Sequence, residues 1–130
     1  MEKQLKILVV DDTKLNLSLI TKVVASEGHI AITAQNGEEA VEKYTSEAPD
    51  LILMDVMMPV MDGHECIRRL RARPATRNLP IFAVTAKAMP ADQQASLAAG
   101  ASDYISKPID EQQLVDKLKH WIARQAPAQG

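Results

Sequence analysis

Four short apolar segments of this chain end abruptly on polar residues of chemical consequence. LKILVV runs into Asp11 and Asp12, LILM into Asp55, IFAV into Thr85, and DYIS into Lys107 and Pro108. Such segments alternate with longer amphipathic stretches, the pattern of a parallel sheet with helices on both faces. In an open sheet of this kind the carboxyl ends of the strands share one edge, and ligand sites form in the crevice outside it. Three acids, a hydroxyl and a lysine are therefore predicted to converge.

Five strand–helix pairs account for nearly the whole chain. Strands are predicted over 5–10, 30–34, 51–54, 81–84 and 103–106. The second alternates apolar with smaller or polar residues, which suits a sheet edge. Helices are predicted over about 14–27, 37–46, 63–73, 90–99 and 111–124. In the first, Leu15, Leu19 and Val23 with Ile20 and Val24 recur at three- and four-residue steps, giving one buried stripe. Lys14, Ser18, Thr21 and Lys22 are then left wet, and Gly28 stops the helix. Asn36–Gly37 reads as a turn and helix start, with Glu38 and Glu39 at the positive end of the helix dipole. Asp110 is a candidate N-cap for the last helix. The 130 residues make one domain over 1–124, with a flexible tail or truncated linker over 125–130.

Composition narrows the function classes. A formal net charge of -2 gives no electrostatic reason to expect nucleic acid or a membrane surface. Arg68, Arg69, Arg71 and Arg73 read as the solvated face of a helix. The single cysteine, Cys66, excludes an internal disulfide framework and a cysteine-rich zinc site, so a reducing compartment is allowed. The apolar run after MEKQ is too short for a signal peptide or a membrane span, and the cytoplasm is the expected location.

The chemistry of the predicted crevice follows from its charges. Two carboxylates about 4 Å apart at an effective dielectric near 20 repel by roughly 4 kcal/mol. Asp11, Asp12 and Asp55 together need a cation. Oxygen-only ligation suits Mg²⁺ better than Zn²⁺, since His29, His64 and His120 fall elsewhere. With the acids neutralised, one carboxylate can attack a phosphoryl group while Lys107 and Thr85 hold the other oxygens, yielding an aspartyl phosphate. Asp55 stands alone at the end of the most apolar strand and is the best nucleophile candidate; the adjacent Asp11 and Asp12 are better metal anchors.

Taken in order, VVDD, LILMDVMMPVMDG, VTA and DYISKP resemble the response-regulator receiver domain of two-component phosphorelays, from about Leu5 to about Ile122. The resemblance implies an α/β fold with a five-stranded parallel sheet in the order 2-1-3-4-5, flavodoxin-like, with helices on both faces. It implies Asp55 as phosphoacceptor and Asp11, Asp12, Asp55 and the backbone carbonyl of Met57 as Mg²⁺ ligands. Thr85 and Lys107 match the phosphate-binding hydroxyl and lysine, Tyr104 the aromatic switch residue, and Lys107–Pro108 a cis peptide. MPVMDG and VTAKAM look most like receivers attached to, or served by, hybrid sensor kinases.

The resemblance further implies a sensor histidine kinase or histidine phosphotransfer domain as donor. A downstream protein would bind the face built by the fourth helix, fifth strand and fifth helix. Such a domain is a signalling phosphoacceptor and not a turnover enzyme; its only chemistry is self-catalysed phosphoryl transfer and self-dephosphorylation. The residues two past the aspartate and two past the threonine, Met57 and Lys87, are those tied to hydrolysis rate in the family. Met57 offers no group to orient a water, so slow hydrolysis is expected. A haloacid-dehalogenase-type phosphatase should show an acid two residues after its nucleophile, which neither Asp55 nor Asp11 has. An FMN carrier would lack its phosphate loop here. A phosphorylation-independent docking receiver is the remaining alternative, against which all five polar site residues argue.

Overall fold

The structure is a computed structural model that describes residues 4–56, 63–76, 78–85, 89–107 and 109–125. The elements alternate as β1 (Lys6–Val10), α1 (Lys14–Ser26), β2 (Ile30–Ala34), α2 (Gly37–Glu47), β3 (Leu51–Asp55), α3 (Gly63–Arg71), β4 (Ile81–Thr85), α4 (Pro90–Ala99), β5 (Asp103–Ser106) and α5 (Glu111–Gln125). A single 3-10 turn, Pro74–Thr76, joins α3 to β4. The strands form one parallel sheet in the order β2-β1-β3-β4-β5, as expected.

Every residue of β3 and β4 is buried, whereas β2 is mostly exposed or half-buried. Central strands with helices on both faces need unbroken apolar runs, and an edge strand does not. Alternate strand residues feed two cores. On one face Leu8, Ile52, Met54 and Ile81 pack with Cys66, Ile67 and Leu70 of α3. On the other, Ile7, Leu53, Phe82 and Ile105 pack with Ile20 and Val24 of α1 and Leu114 and Leu118 of α5.

The buried stripe of α1 differs from the expected one. Leu17, Ile20, Val23 and Val24 are buried, Leu19 is half-buried and Leu15 is 76% exposed. Leu17, Ile20 and Val24 follow the three- and four-residue steps. Leu15 is two residues from Leu17, about 200° around the helix, and faces away. Thr21, expected wet, is half-buried. Helix α3 stops at Arg71, two residues early, because Pro74 supplies no backbone N–H and disfavours helical geometry before it. The expected helix starts hold: Asn36 Oδ1 accepts the Glu39 N–H at 2.8 Å, and Asp110 Oδ1 accepts those of Gln112 and Gln113. Gly28 sits at φ +87 directly after the α1 cap.

The arginines do not form one solvated face. Arg68 and Arg69 are exposed beside Glu65, and Arg73 lies 5.6 Å from the Tyr44 ring centroid. Arg71 turns inward instead. It donates to Gly100 O at 2.8 Å, to Ser102 Oγ at 3.1 Å and to Thr76 O, tying α3 to the far end of α4. A second tie joins the same helices: His64 Nε2 lies 2.8 Å from the buried Ser96 Oγ.

Gly63 opens α3 against the end of β3, its N–H donating to Val56 O at 2.9 Å. A Cβ there would stand 2.6 Å from Val56 Cα and collide with the Asp55 carbonyl oxygen. Backbone on a buried strand cannot yield as a flexible side chain does. Gly63→Ala should therefore destabilise the fold by about 1–3 kcal/mol, read from the urea midpoint, and should displace Asp55. An unchanged midpoint would contradict this packing.

Candidate functional site

Four strand ends supply the site. Asp11 follows β1, its N–H donating to Ala34 O at 3.1 Å, and its side chain is buried. Oδ1 accepts the Thr13 N–H at 2.9 Å, a local turn that leads into α1. Asp12, next along, is exposed. Asp55 is the last residue of β3 and is buried; the chain continues along β4, where Val56 N donates to Val84 O at 2.9 Å. Thr85 is the buried last residue of β4. Its carbonyl accepts the Lys107 N–H at 2.8 Å, which fixes the lysine backbone just past β5.

The side chains converge as their strand ends imply. Oxygens of Asp11, Asp12 and Asp55 lie within 4.8 Å of one another. Lys107 Nζ reaches between two of them, donating to Asp55 Oδ1 at 3.1 Å and lying 3.5 Å from Asp11 Oδ2. Burial disfavours its ammonium. The hydrogen bond and charge of Asp55, with the charge of Asp11, outweigh that and hold Lys107 above the usual lysine value.

One ammonium against three carboxylates leaves an excess of negative charge. Asp11 Oδ2 is buried and receives no hydrogen bond. A cluster of oxygen donors that includes a buried oxygen without a hydrogen bond fits a hard divalent cation such as Mg²⁺, which keeps waters and binds through few carboxylates. Asp11, Asp12 and Asp55 are the residues able to hold it.

Tyr104 lies mid-strand in β5, half-buried against the core on the α3 side. The register pairs Ala83 with Tyr104 and Thr85 with Ser106. Thr85 and Tyr104 are thus diagonal neighbours on one face of the sheet. Met57, Lys87 and Pro108 lie outside the described residues, so the expected carbonyl ligand and cis peptide do too. Sequence reasoning missed Gly63 as a site residue; the only signal was a glycine where the loop after Asp55 gives way to a helix.

Residues 7–119 match the family described as the response regulator receiver domain. The chain belongs to this family. It is 40% identical over 128 residues to the sensor protein GacS of Pseudomonas syringae pv. syringae, covering 95% of this chain but 14% of GacS. It is 34% identical over 116 residues to the polar-differentiation response regulator DivK of Brucella anthropi, covering 89% of this chain and 94% of DivK. Among solved structures, the receiver domain of the sensor histidine kinase PA1611 from Pseudomonas aeruginosa superposes with a TM-score of 0.85 at 35% identity, covering 93% and 99% of the two chains. That structure is described with a magnesium ion coordinated in its active-site cleft. The receiver thus occurs both as a small part of longer sensor proteins and as nearly the whole of a short regulator. Its relatives make it a two-component signalling domain. Among the described residues no helix is long and apolar enough to cross a membrane.

The raised value of Lys107 has a definite sign in stability. A group whose folded value is raised stabilises the fold fully below its unfolded value and loses that contribution as pH rises through the folded one. In metal-free protein, the stability lost in Lys107→Met should therefore hold steady from neutral pH toward the ordinary lysine value of 10.5, then shrink above it. Urea midpoints across this range would show it. A difference that grows with alkalinity would contradict the pairing.

Proposed function

We propose that this receiver takes a phosphoryl group from a phosphohistidine onto Asp55. The observation that carries the reading is the Lys107 ammonium shared between Asp55 and Asp11 at the strand ends, with Asp12 beside them. An Asp55 carboxylate oxygen forms the new bond to phosphorus, the phosphorus–nitrogen bond breaks, and the imidazole leaves with the electron pair. Asp11, Asp12 and Asp55, with the Met57 carbonyl, would hold Mg²⁺, which would supply positive charge to offset that of the acids and the transferring group. Lys107 and the Thr85 hydroxyl bind the remaining phosphoryl oxygens. Because Asp55 and Asp11 keep Lys107 protonated, the ammonium is ready before the donor arrives.

Phosphorylation adds about 1.5 to 2 negative charges and strong acceptor oxygens. Drawing Thr85 toward them frees space for Tyr104, its diagonal neighbour, and couples the site to the α4–β5–α5 face, where a downstream protein binds. A sensor histidine kinase or a phosphotransfer domain is the donor. The similarity to GacS and to a hybrid signal transduction histidine kinase of Dictyostelium discoideum supports this assignment. The receiver unit spans 1–124 and works in the cytoplasm, in keeping with a single, buried cysteine, Cys66, that forms no disulfide. It has no turnover activity beyond its own phosphorylation and its slow reversal.

Intact mass after incubation with acetyl phosphate tests the reading. One phosphoryl increment is expected in wild type with Mg²⁺, and none without Mg²⁺ or in Asp55→Asn. An increment that survives Asp55→Asn would overturn the acceptor assignment. Met57→Asn should speed decay of the phosphorylated form several-fold, followed by the same mass measurement over time. An unchanged decay would remove Met57 from the account of slow hydrolysis.

A further inference from the structure

Lys117 of α5 touches two neighbours at the open edge of the sheet. Its Nζ donates to Asp103 Oδ1 at 2.9 Å and lies 5.5 Å from the centroid of the Tyr104 ring. Asp103 is itself held from three sides. Oδ1 also accepts the Tyr104 N–H at 2.8 Å, and Oδ2 accepts Trp121 Nε1–H at 3.4 Å. Trp121 leans on the buried Phe82 with ring centroids 5.9 Å apart. The anion that fixes Lys117 is therefore anchored to the core.

Successive residues of a strand point to opposite faces. Ile105 packs in the cluster under α5, whereas Tyr104 packs in the cluster on the α3 side. To stand over the Tyr104 ring, Lys117 must reach around β5 from the α5 face. It can do so because β5 ends the sheet and, among the described residues, no further strand covers its side. The lysine and Asp103 side chains are only 24% and 23% exposed, which sets the pair apart from an ordinary surface ion pair. A cleft of about 500 Å³, lined by Asp103 and Lys117 themselves with Asp110, Asp116 and His120, opens beside the pair.

We infer that Lys117, pinned by Asp103, is a positioning residue for Tyr104: its ammonium holds the ring where it now stands and sets how readily the receiver switches. The inference rests on the proposed switch role of Tyr104. A cation over an aromatic face is attracted by the ring quadrupole, and that attraction ends when the ring turns away. An interaction made in one state and absent from the other shifts the balance between them, and one made equally in both does not. From the usual strength of such contacts, loss of the cation should raise the ratio of switched to unswitched ring about two- to fivefold. The polar atoms on Asp55 are untouched, so phosphoryl uptake itself is not the quantity that changes most.

The chain has two tyrosines, Tyr44 and Tyr104. Incorporated 3-fluorotyrosine gives each a fluorine resonance, and Tyr44→Phe identifies that of Tyr104. Spectra of the full chain with and without beryllofluoride and Mg²⁺, a phosphoryl stand-in, define the two end positions in wild type. Without the stand-in, Lys117→Met should move the Tyr104 resonance toward the switched position, and Asp103→Asn should move it the same way. Lys117→Arg, which keeps a cation, should stay near wild type. Melting temperatures of each variant separate a loss of fold from a shift of the ring. A Lys117→Met resonance that coincides with wild type in both conditions, while wild type still responds, would overturn the latch and leave the switch role of Tyr104 intact. A wild-type resonance that ignores beryllofluoride would remove the switch role and the latch together.

Discussion

The site depends on one ammonium shared by two buried carboxylates. Asp11 and Asp55 end neighbouring strands, and each would repel the other at this range if no positive group lay between them. Lys107 supplies that group from a third strand end, fixed in place by its own N–H on the Thr85 carbonyl. Three strands must therefore be in correct register before the charges balance. The same arrangement leaves Asp11 Oδ2 without a hydrogen bond, so the balance is incomplete by design of the backbone. Structure and reactivity come from the same deficit: the acids are held together closely enough to need a cation and openly enough to accept one.

The winding of the chain explains why these residues meet. With β2 and β3 on either side of β1, the chain reverses direction across the sheet between the first and third strands. Crossover helices diverge there, and the crevice they leave lies above Asp11 and Asp55. The strands beneath are buried along nearly their whole length, so the acids stand on packed core. Loops then need only bring Asp12 and Lys107 alongside.

Strand positions and the converging polar residues were legible because each rests on a local signal: an apolar run that stops on a polar residue. Helix starts at Asn36 and Asp110 were legible for the same reason, since a cap is read from its own side chain. What escaped required knowledge of a neighbour. Leu15 fits a helical repeat as well as Leu17 does, and only the direction of packing against the sheet chooses between them. Arg71 looks identical in sequence to Arg68 and Arg69, yet its acceptors lie just past the end of α4 and in the 3-10 turn. Gly63 is unremarked until the backbone of β3 is seen against it. Asp103 and Lys117 are 14 residues apart and belong to different elements. Each of these depends on tertiary proximity that periodicity does not encode.

Helix α4 is held unevenly. Its two buried residues, Ser96 and Ala99, lie in its second half, where His64 meets Ser96 and Arg71 grips the Gly100 carbonyl. The first half, from Pro90 to Ala95, has no buried residue, and Met89 before it stands 68% exposed. Ten helical residues span about 15 Å, so a tilt of about 10° about the held end would carry the other by roughly 2.5 Å. The buried attachment of the helix therefore lies far from the acids, and its less buried half lies at the end nearer Thr85.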